Sequence, residues 1–246
     1  TMALWKQWNI DLASTGANLQ NVKSVTVGVE GSGSGVIYVD DVALYAAAPT
    51  VATPVDPGTT GLAARYTFED NANDVTGNGY DGTPMNDPLY DDAVGELGRA
   101  MSFDGINDYV DLPIGSLIGS LSDITVATWV NYPNVGGSWQ RLFDFGTSNT
   151  EGYMFLCPRT SGAGPLRFAI TASAGGDAES FVDTPSDLPL GWHHVATVID
   201  STDMTMSLYV DGALAVSGQT ATLPKLFKNS SIRALKRSQY EVDAYF

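Results

Sequence analysis

The sequence predicts an all-β protein, antiparallel strands packed as a β-sandwich, with part of a second β-sandwich at the N-terminus. Apolar residues recur at alternate positions in short runs, which is the period of half-buried strands. Turns rich in Gly, Asp and Asn separate those runs, and no segment keeps a helical period for more than a turn or two. With 246 residues, 43% of them hydrophobic, the chain is long enough for one large β domain, or for a domain and part of another.

Residues 1–45 read as three strands, WKQWNIDL, NVKSVTVGVE and GVIYVDDVALY, the last two joined by a flexible loop at 31–35. Asp40 and Asp41 form a carboxylate pair that either faces solvent at a strand end or holds a cation. Residues 46–60, AAAPTVATPVDPGTT, carry three prolines among small and polar residues. Such a stretch has no apolar period from which to build a core and favours an extended linker, so residues 1–45 and 61–246 belong to different domains.

The second domain opens on a strand at 62–68, followed by the polar loop EDNANDVTGNGYDGT. From Glu69 to Asp92 there are seven acidic residues and no basic one. Carboxylate, amide and backbone oxygens on a glycine-turned loop suit calcium, which takes about six to eight oxygen ligands. The same composition is also good turn chemistry. Residues 98–112 read as a hairpin, RAMSF and DYVDL on either side of a turn at 104–107 that Asp104 shapes. Residues 124–132 alternate cleanly as a central strand, with Trp129 expected between the sheets. Trp139 stands at a loop edge before the strand RLFDFG. An indole there either packs into the core or stacks on a sugar ring, which makes Trp139 the candidate carbohydrate-binding residue. Strands at 152–157, 166–172 and 179–182 follow, joined by TSGAGP and SAGG.

Residues 191–217, GWHHVATVIDSTDMTMSLYVDGALAVS, carry the strongest local prediction. The run from His194 to Ile199 is dense in β-branched and apolar residues. Met204, Met206, Leu208 and Val210 then form the apolar side of a second strand. Asp211-Gly212 closes a tight hairpin, because both central residues of a type I′ turn need positive φ.

WHHVA, a short polar spacer, and LYVDG with its small-residue return strand resemble the laminin-G-like jelly roll of the concanavalin A-like group, in its bacterial secreted form. GLAARYTFEDNANDVTGNGYDGT from Gly61, GRAMSFDGINDYVDLP from Gly98 and ITVATWVNYP from Ile124 resemble the same family in its order and at its spacings. The resemblance implies a concanavalin A-like jelly roll over 61–246 and favours a structural calcium beside its first strand, with Asp70, Asp74 and Asn78 as candidate ligands. Residues 1–45 resemble the closing portion of a galactose-binding-like carbohydrate module, whose full length is about twice this. By the family pattern, the segment after Leu223 should reach a glycine-containing I-G-R-S type stretch and then a closing strand of the D-D-V-R-I-Y type. Here ALKRSQYEVDAYF has Lys236 in the glycine's place and stops at Phe246. The sequence therefore predicts a jelly roll truncated before its last strand, with an open edge that invites self-association.

Charge narrows the function classes. Against 28 acidic residues stand 12 basic ones, for a net charge of -16, which argues against nucleic acid and anionic membranes as partners. The acidity suits a solvated surface or divalent cations. No apolar run approaches the roughly 20 residues of a membrane span, and an export signal would have to lie upstream of Thr1. Cys157, the single cysteine, sits in the apolar context YMFLCP and reads as a small buried hydrophobe. His193 and His194 are the only histidines; as strand neighbours they point to opposite faces, cannot grip one ion together, and read as structural. No E-x-D-x-x-E run, nucleophile elbow, zinc spacing or phosphate loop is present, and Asp177 and Glu179 border a glycine turn without a third acid. The expected function is non-catalytic binding of an extracellular or cell-surface glycan, or adhesion, within a larger secreted protein. Two other classes stay open: a structural or protein-interaction module that binds no sugar, and an accessory part of a polysaccharide-degrading enzyme whose catalytic domain lies elsewhere.

Overall fold

The chain divides into two compact units, Thr1–Val51 and Ala52–Phe246. The computed structural model describes residues 58–93, 98–132, 138–148, 152–162, 164–173, 177–226, 232–234 and 241–245. The readings of residues 1–45, including Asp40 and Asp41, lie outside the described residues, as does the linker up to residue 57.

Along the described chain come β1 (Arg65–Tyr66), β2 (Thr83–Met85), β3 (Leu89–Asp92), β4 (Arg99–Ser102), β5 (Tyr109–Leu112), the one-turn helix α1 (Gly115–Ile118) and β6 (Ile124–Tyr132). Then follow β7 (Phe143–Ser148), β8 (Gly152–Cys157), β9 (Arg167–Thr171), β10 (Ser180–Asp183), β11 (Gly191–Asp200), β12 (Thr205–Val210), β13 (Ala213–Gln219), β14 (Ile232–Ala234) and β15 (Glu241–Tyr245). One sheet runs β13-β12-β11-β6-β15-β4-β3, with β1 beside β15, and the other runs β10-β9-β8-β7-β14-β5-β2. The protein is an antiparallel β-sandwich.

Alternation decides which side chains meet between the sheets. Met101, Val126, Val130, Tyr132, Val195, Met206 and Leu208 come from the first sheet. Val110, Leu112, Phe143, Phe145, Met154, Leu156, Phe168 and Ile170 come from the second, and all of these are at most 2% exposed. Phe143 stacks on Phe145 at 4.7 Å and meets Phe168 edge-on at 6.3 Å. Burial of each such side chain contributes about 1.5–3 kcal/mol, which is why the period of two fixes the faces. Asp211 and Gly212 take φ of 50° and 78° and close the β12–β13 hairpin as the turn chemistry predicts.

Three expectations are corrected. Residues 98–112 are not a hairpin, because β4 lies in the first sheet and β5 in the second. The turn is real: Asp104 Oδ1 accepts the N–H groups of Ile106 and Asn107, and Asp108 Oδ2 accepts that of Asp104. Turn chemistry specifies a reversal of the chain without specifying which sheet receives it. Trp129 does not stand between the sheets either. Val126, Val130 and Tyr132 take the inward positions of β6, so Trp129 faces the opposite way, where its ring meets His194 edge-on at 5.4 Å.

The third correction concerns the last strand. β15 occupies the place between β6 and β4 that the sequence reading had left empty, pairing Glu241 with both Asn131 and Ser102. Its far half pairs with β1, Tyr66 opposing Ala244. The expected closing strand is of the D-D-V-R-I-Y type, and EVDAY keeps its valine as Val242, its final tyrosine as Tyr245 and an acid before the valine as Glu241, departing from it at Asp243 and Ala244. The self-association expected from an open central position loses its premise.

His194 supplies a pH test. Burial pushes its imidazole below the ordinary range, against a smaller upward pull from Asp211. The unfolded chain binds this proton more readily, so the contribution is present above the unfolded pKa of about 6.5 and is lost as pH falls through the folded value. Urea unfolding at about pH 7.5 and about pH 5.5 is expected to show a larger loss for the wild type than for His194→Phe. Equal losses would discard the assignment.

Candidate functional site

The outward face of the second sheet is unlike a plain solvated surface. Inward Met154, Leu156, Phe168 and Ile170 force Tyr153, Phe155, Cys157, Arg167, Ala169 and Thr171 outward. Register then sets the neighbours: Asp183 opposes Arg167, which opposes Cys157, and Phe181 opposes Ala169, which opposes Phe155, which opposes Asp144. Small Ala169 lies between the two phenylalanines. Gly146 opposes Tyr153, and a Cβ there would stand 2.5 Å from the Gly152 carbonyl oxygen, so only glycine admits this approach.

Two guanidinium groups tie the rings together. Arg141 lies 3.8 Å above the Phe155 ring, and Arg167 lies 4.0 Å above Phe181. The Trp139 ring sits 5.8 Å from the first guanidinium carbon and 5.7 Å from the second. These are cation–π distances. Trp139 and Phe181 remain 46% and 47% exposed, so the platform presents two ring surfaces to solvent. Trp139 is also held in a left-handed backbone, φ 66°, where its N–H donates to the Arg159 carbonyl and its carbonyl accepts from Arg141 Nη1. That conformation costs of order 1 kcal/mol or more for a non-glycine residue and persists only where the surroundings hold it.

Carboxylates line the platform. Asp183 receives Arg167 through two parallel bonds, Nε to Oδ1 at 2.8 Å and Nη2 to Oδ2 at 2.7 Å. Glu179 stands 3.5 Å from Arg167 Nη1 and accepts the Tyr153 hydroxyl at 2.5 Å. Burial, then the hydrogen bond and charge of Glu179, hold the Tyr153 phenol above its ordinary range, so it stays a donor at neutral pH. The hydrogen bond from Arg167 to Asp183 is the largest cause keeping Arg167 firmly charged. Asp144 pairs with Arg141 at 3.5 Å. Rings for apolar faces, with donors and acceptors around them, are what recognition of a polyhydroxylated ligand needs.

Of the sequence-predicted residues, Trp139 belongs to this platform and the acidic-loop residues do not. Asp74 is buried, and its carboxylate accepts the N–H groups of Arg65, Thr76 and Tyr80 and the Thr76 hydroxyl. Asn78 Nδ2 donates to the Ala63 carbonyl, and Asp70 is ion-paired with Arg99 at 2.9 Å. Among the described residues no group of three or more His, Cys, Asp or Glu side chains is placed to hold a metal ion. Cys157 is buried, its thiol donates to the Arg159 carbonyl, and burial pushes its pKa up, away from nucleophile chemistry. His193 Nδ1 lies 2.7 Å from Asp211 Oδ2 beside the hairpin turn, a structural contact. Register puts Glu241 and Asp243 two residues apart on one strand, but Phe246 stands where E-x-D-x-x-E requires its last acid. Phe181, Arg167, Tyr153 and Phe155 were not singled out from sequence, although alternation on β8, β9 and β10 puts them on the face opposite the buried Met154, Leu156, Phe168, Ile170 and Val182.

Residues 104–246 match the laminin G family described as the concanavalin A-like lectin/glucanases superfamily. The chain belongs to this family. Among solved structures, this laminin G-type chain is similar to domain 4 of AbnA, an extracellular GH43 arabinanase of Geobacillus stearothermophilus, solved in complex with arabinotriose. That match has a TM-score of 0.55 and 21% identity, and covers 75% of this chain and 91% of that one. The chain is also similar to the binding domain of Paraclostridial Mosquitocidal Protein 1, with a TM-score of 0.56 and 14% identity, covering 74% of this chain and 47% of that one. The botulinum neurotoxin serotype C1 binding domain gives 0.55 and 11% identity over 75% and 48%. The laminin G-type chain spans about half of each toxin domain. At these identities the likeness is one of fold. No curated protein matches.

Proposed function

We propose that this laminin G-type chain is a non-catalytic carbohydrate-binding module of a larger secreted protein, and that it takes its glycan on the outward face of the second sheet. The observation that carries the reading is the pair of exposed rings, Trp139 and Phe181, fixed on the Arg167 guanidinium and bordered by Glu179, Asp183 and Tyr153. Because the rings are already held, little side-chain entropy is lost when a sugar stacks on them. The AbnA domain, bound to arabinotriose, lends support from a chain of the same fold. No helix among the described residues is long and apolar enough to cross a membrane.

The full chain on a glycan array is expected to select a defined sugar class. Trp139→Ala and Phe181→Ala are each expected to weaken that binding at least tenfold, the equivalent of about 1.4 kcal/mol, with unchanged circular dichroism. A folded chain that binds no glycan would move the reading to a protein-interaction module, and binding untouched by both variants would move the site elsewhere. A structural calcium at Asp70, Asp74 and Asn78 stays a separate proposal, since it needs the donors now on Asp74 to let go. Saturable heat on calcium titration of the chelator-treated chain supports it, and a flat trace removes it.

A further inference from the structure

The platform carries an unusual combination of groups for a surface with two arginines, because the Arg167 guanidinium does not turn its fork to solvent as an anion receptor. Arg167 lies flat on Phe181, and its edge is spent on Asp183 through two N–H bonds and on Glu179 through a third contact. Arg141 lies flat on Phe155, with Nη1 given to the Trp139 carbonyl and Nε facing Asp144. A planar guanidinium recognises a carboxylate or sulfate through two parallel N–H bonds, and on Arg167 that geometry is occupied by Asp183. The groups left at the rim are the acids themselves. The side chains of Glu179, Asp183 and Asp144 are 17%, 28% and 34% exposed, and a carboxylate oxygen can accept more than one hydrogen bond. They accept hydroxyl protons and repel anions. The whole chain adds to that repulsion, with a net charge of -16.

We infer that the ligand of this face is an uncharged glycan, recognised by ring stacking and by its hydroxyls donating to Glu179, Asp183 and Asp144, and that uronate-, sialate- or sulfate-bearing glycans are rejected. The inference rests on the carbohydrate-binding reading and names its ligand class. In it, arginine serves as a spacer that sets the rings, while specificity against acidic sugars comes from carboxylates placed where an acid group would otherwise dock.

The test uses the full chain against two sets of oligosaccharides matched for length. The neutral set holds arabino-, xylo- and cello-oligosaccharides, and the acidic set holds oligogalacturonate and sialyllactose. The expected result is binding within the neutral set, at least tenfold weaker binding across the acidic set, and neutral affinity that stays constant as salt is raised. Asp183→Asn frees the Arg167 fork and is expected to raise affinity for the acidic set severalfold, with a new dependence on salt. Equal or tighter wild-type binding to the acidic set would overturn the inference while leaving the carbohydrate-binding reading in place. Binding to neither set by a folded chain would overturn that reading itself.

Discussion

A chain ended at residue 240 is expected not to reach the native state, and Ala244→Pro in the full chain is expected to cost about 3 kcal/mol or more. Both follow from the position of β15. It pairs with β6 over five consecutive residues on one side, while on the other its first half pairs with β4 and its second half with β1. Removing it leaves three strands with unpaired N–H and C=O groups at the middle of a sheet, each group costing about 1–3 kcal/mol when buried and unsatisfied. A stability of about 5–15 kcal/mol does not survive that loss. Proline at residue 244 is milder, since it deletes one ladder donor opposite Thr128 and Tyr66 and leaves the strand in place. The readouts are far-ultraviolet circular dichroism, the urea midpoint and the elution volume on size exclusion. A shortened chain with the wild-type midpoint would mean that another segment closes the sheet.

That strand also marks where sequence reading stopped. Local signals were dependable wherever a short-range contact decides the structure. Asp211-Gly212 sets its own turn, the period of two on β6, β11 and β12 sets its own faces, and glycine-rich joints separate β8, β9 and β10. Non-local pairing left no such trace. Nothing in RAMSF or DYVDL says that the two strands enter different sheets, and Glu241, Val242 and Tyr245, which fit the closing-strand pattern, say nothing of the register of EVDAY against residues 127–131. The site follows the same division. Trp139 was legible as an aromatic residue at a loop edge, but its partners Arg159 and Arg167 come from farther along the chain. Arg167 reads in sequence as an ordinary solvated cation. Its role appears only when register places Asp183 opposite it and Phe181 beneath its guanidinium. The acidic loop is ambiguous for the opposite reason, because carboxylates that suit a cation suit backbone N–H groups equally well.

Asp74→Ala is expected to destabilise the domain by roughly 3–5 kcal/mol, and Asp74→Asn by less, measured by urea unfolding. Asp74 is 6% exposed. Its Oδ1 accepts from Arg65 N at 3.1 Å, Thr76 N at 3.0 Å and Thr76 Oγ1 at 2.7 Å, and its Oδ2 faces Tyr80 N at 3.4 Å. One side chain thereby fixes the loop to β1, beside the bridge from Tyr66 to Asp74 and the bond from the Tyr66 hydroxyl to the Tyr80 carbonyl. Alanine leaves these donors without an acceptor, while asparagine keeps one acceptor oxygen but sets its amide N–H groups against the remaining donors. The pH dependence separates the hydrogen-bond account from simple loss of packing. Burial alone would raise this carboxyl's pKa, but the bonds from Thr76, Arg65 and Tyr80 outweigh it and hold the group below its ordinary range. A depressed folded pKa contributes stability that is complete above the unfolded value of about 3.9 and is lost as pH falls through the lower folded value. The advantage of the wild type over Asp74→Asn is therefore expected to be constant near neutrality and to shrink as the solution is taken below about pH 4. An advantage that holds its size into that range would mean that the carboxylate charge does not hold this loop.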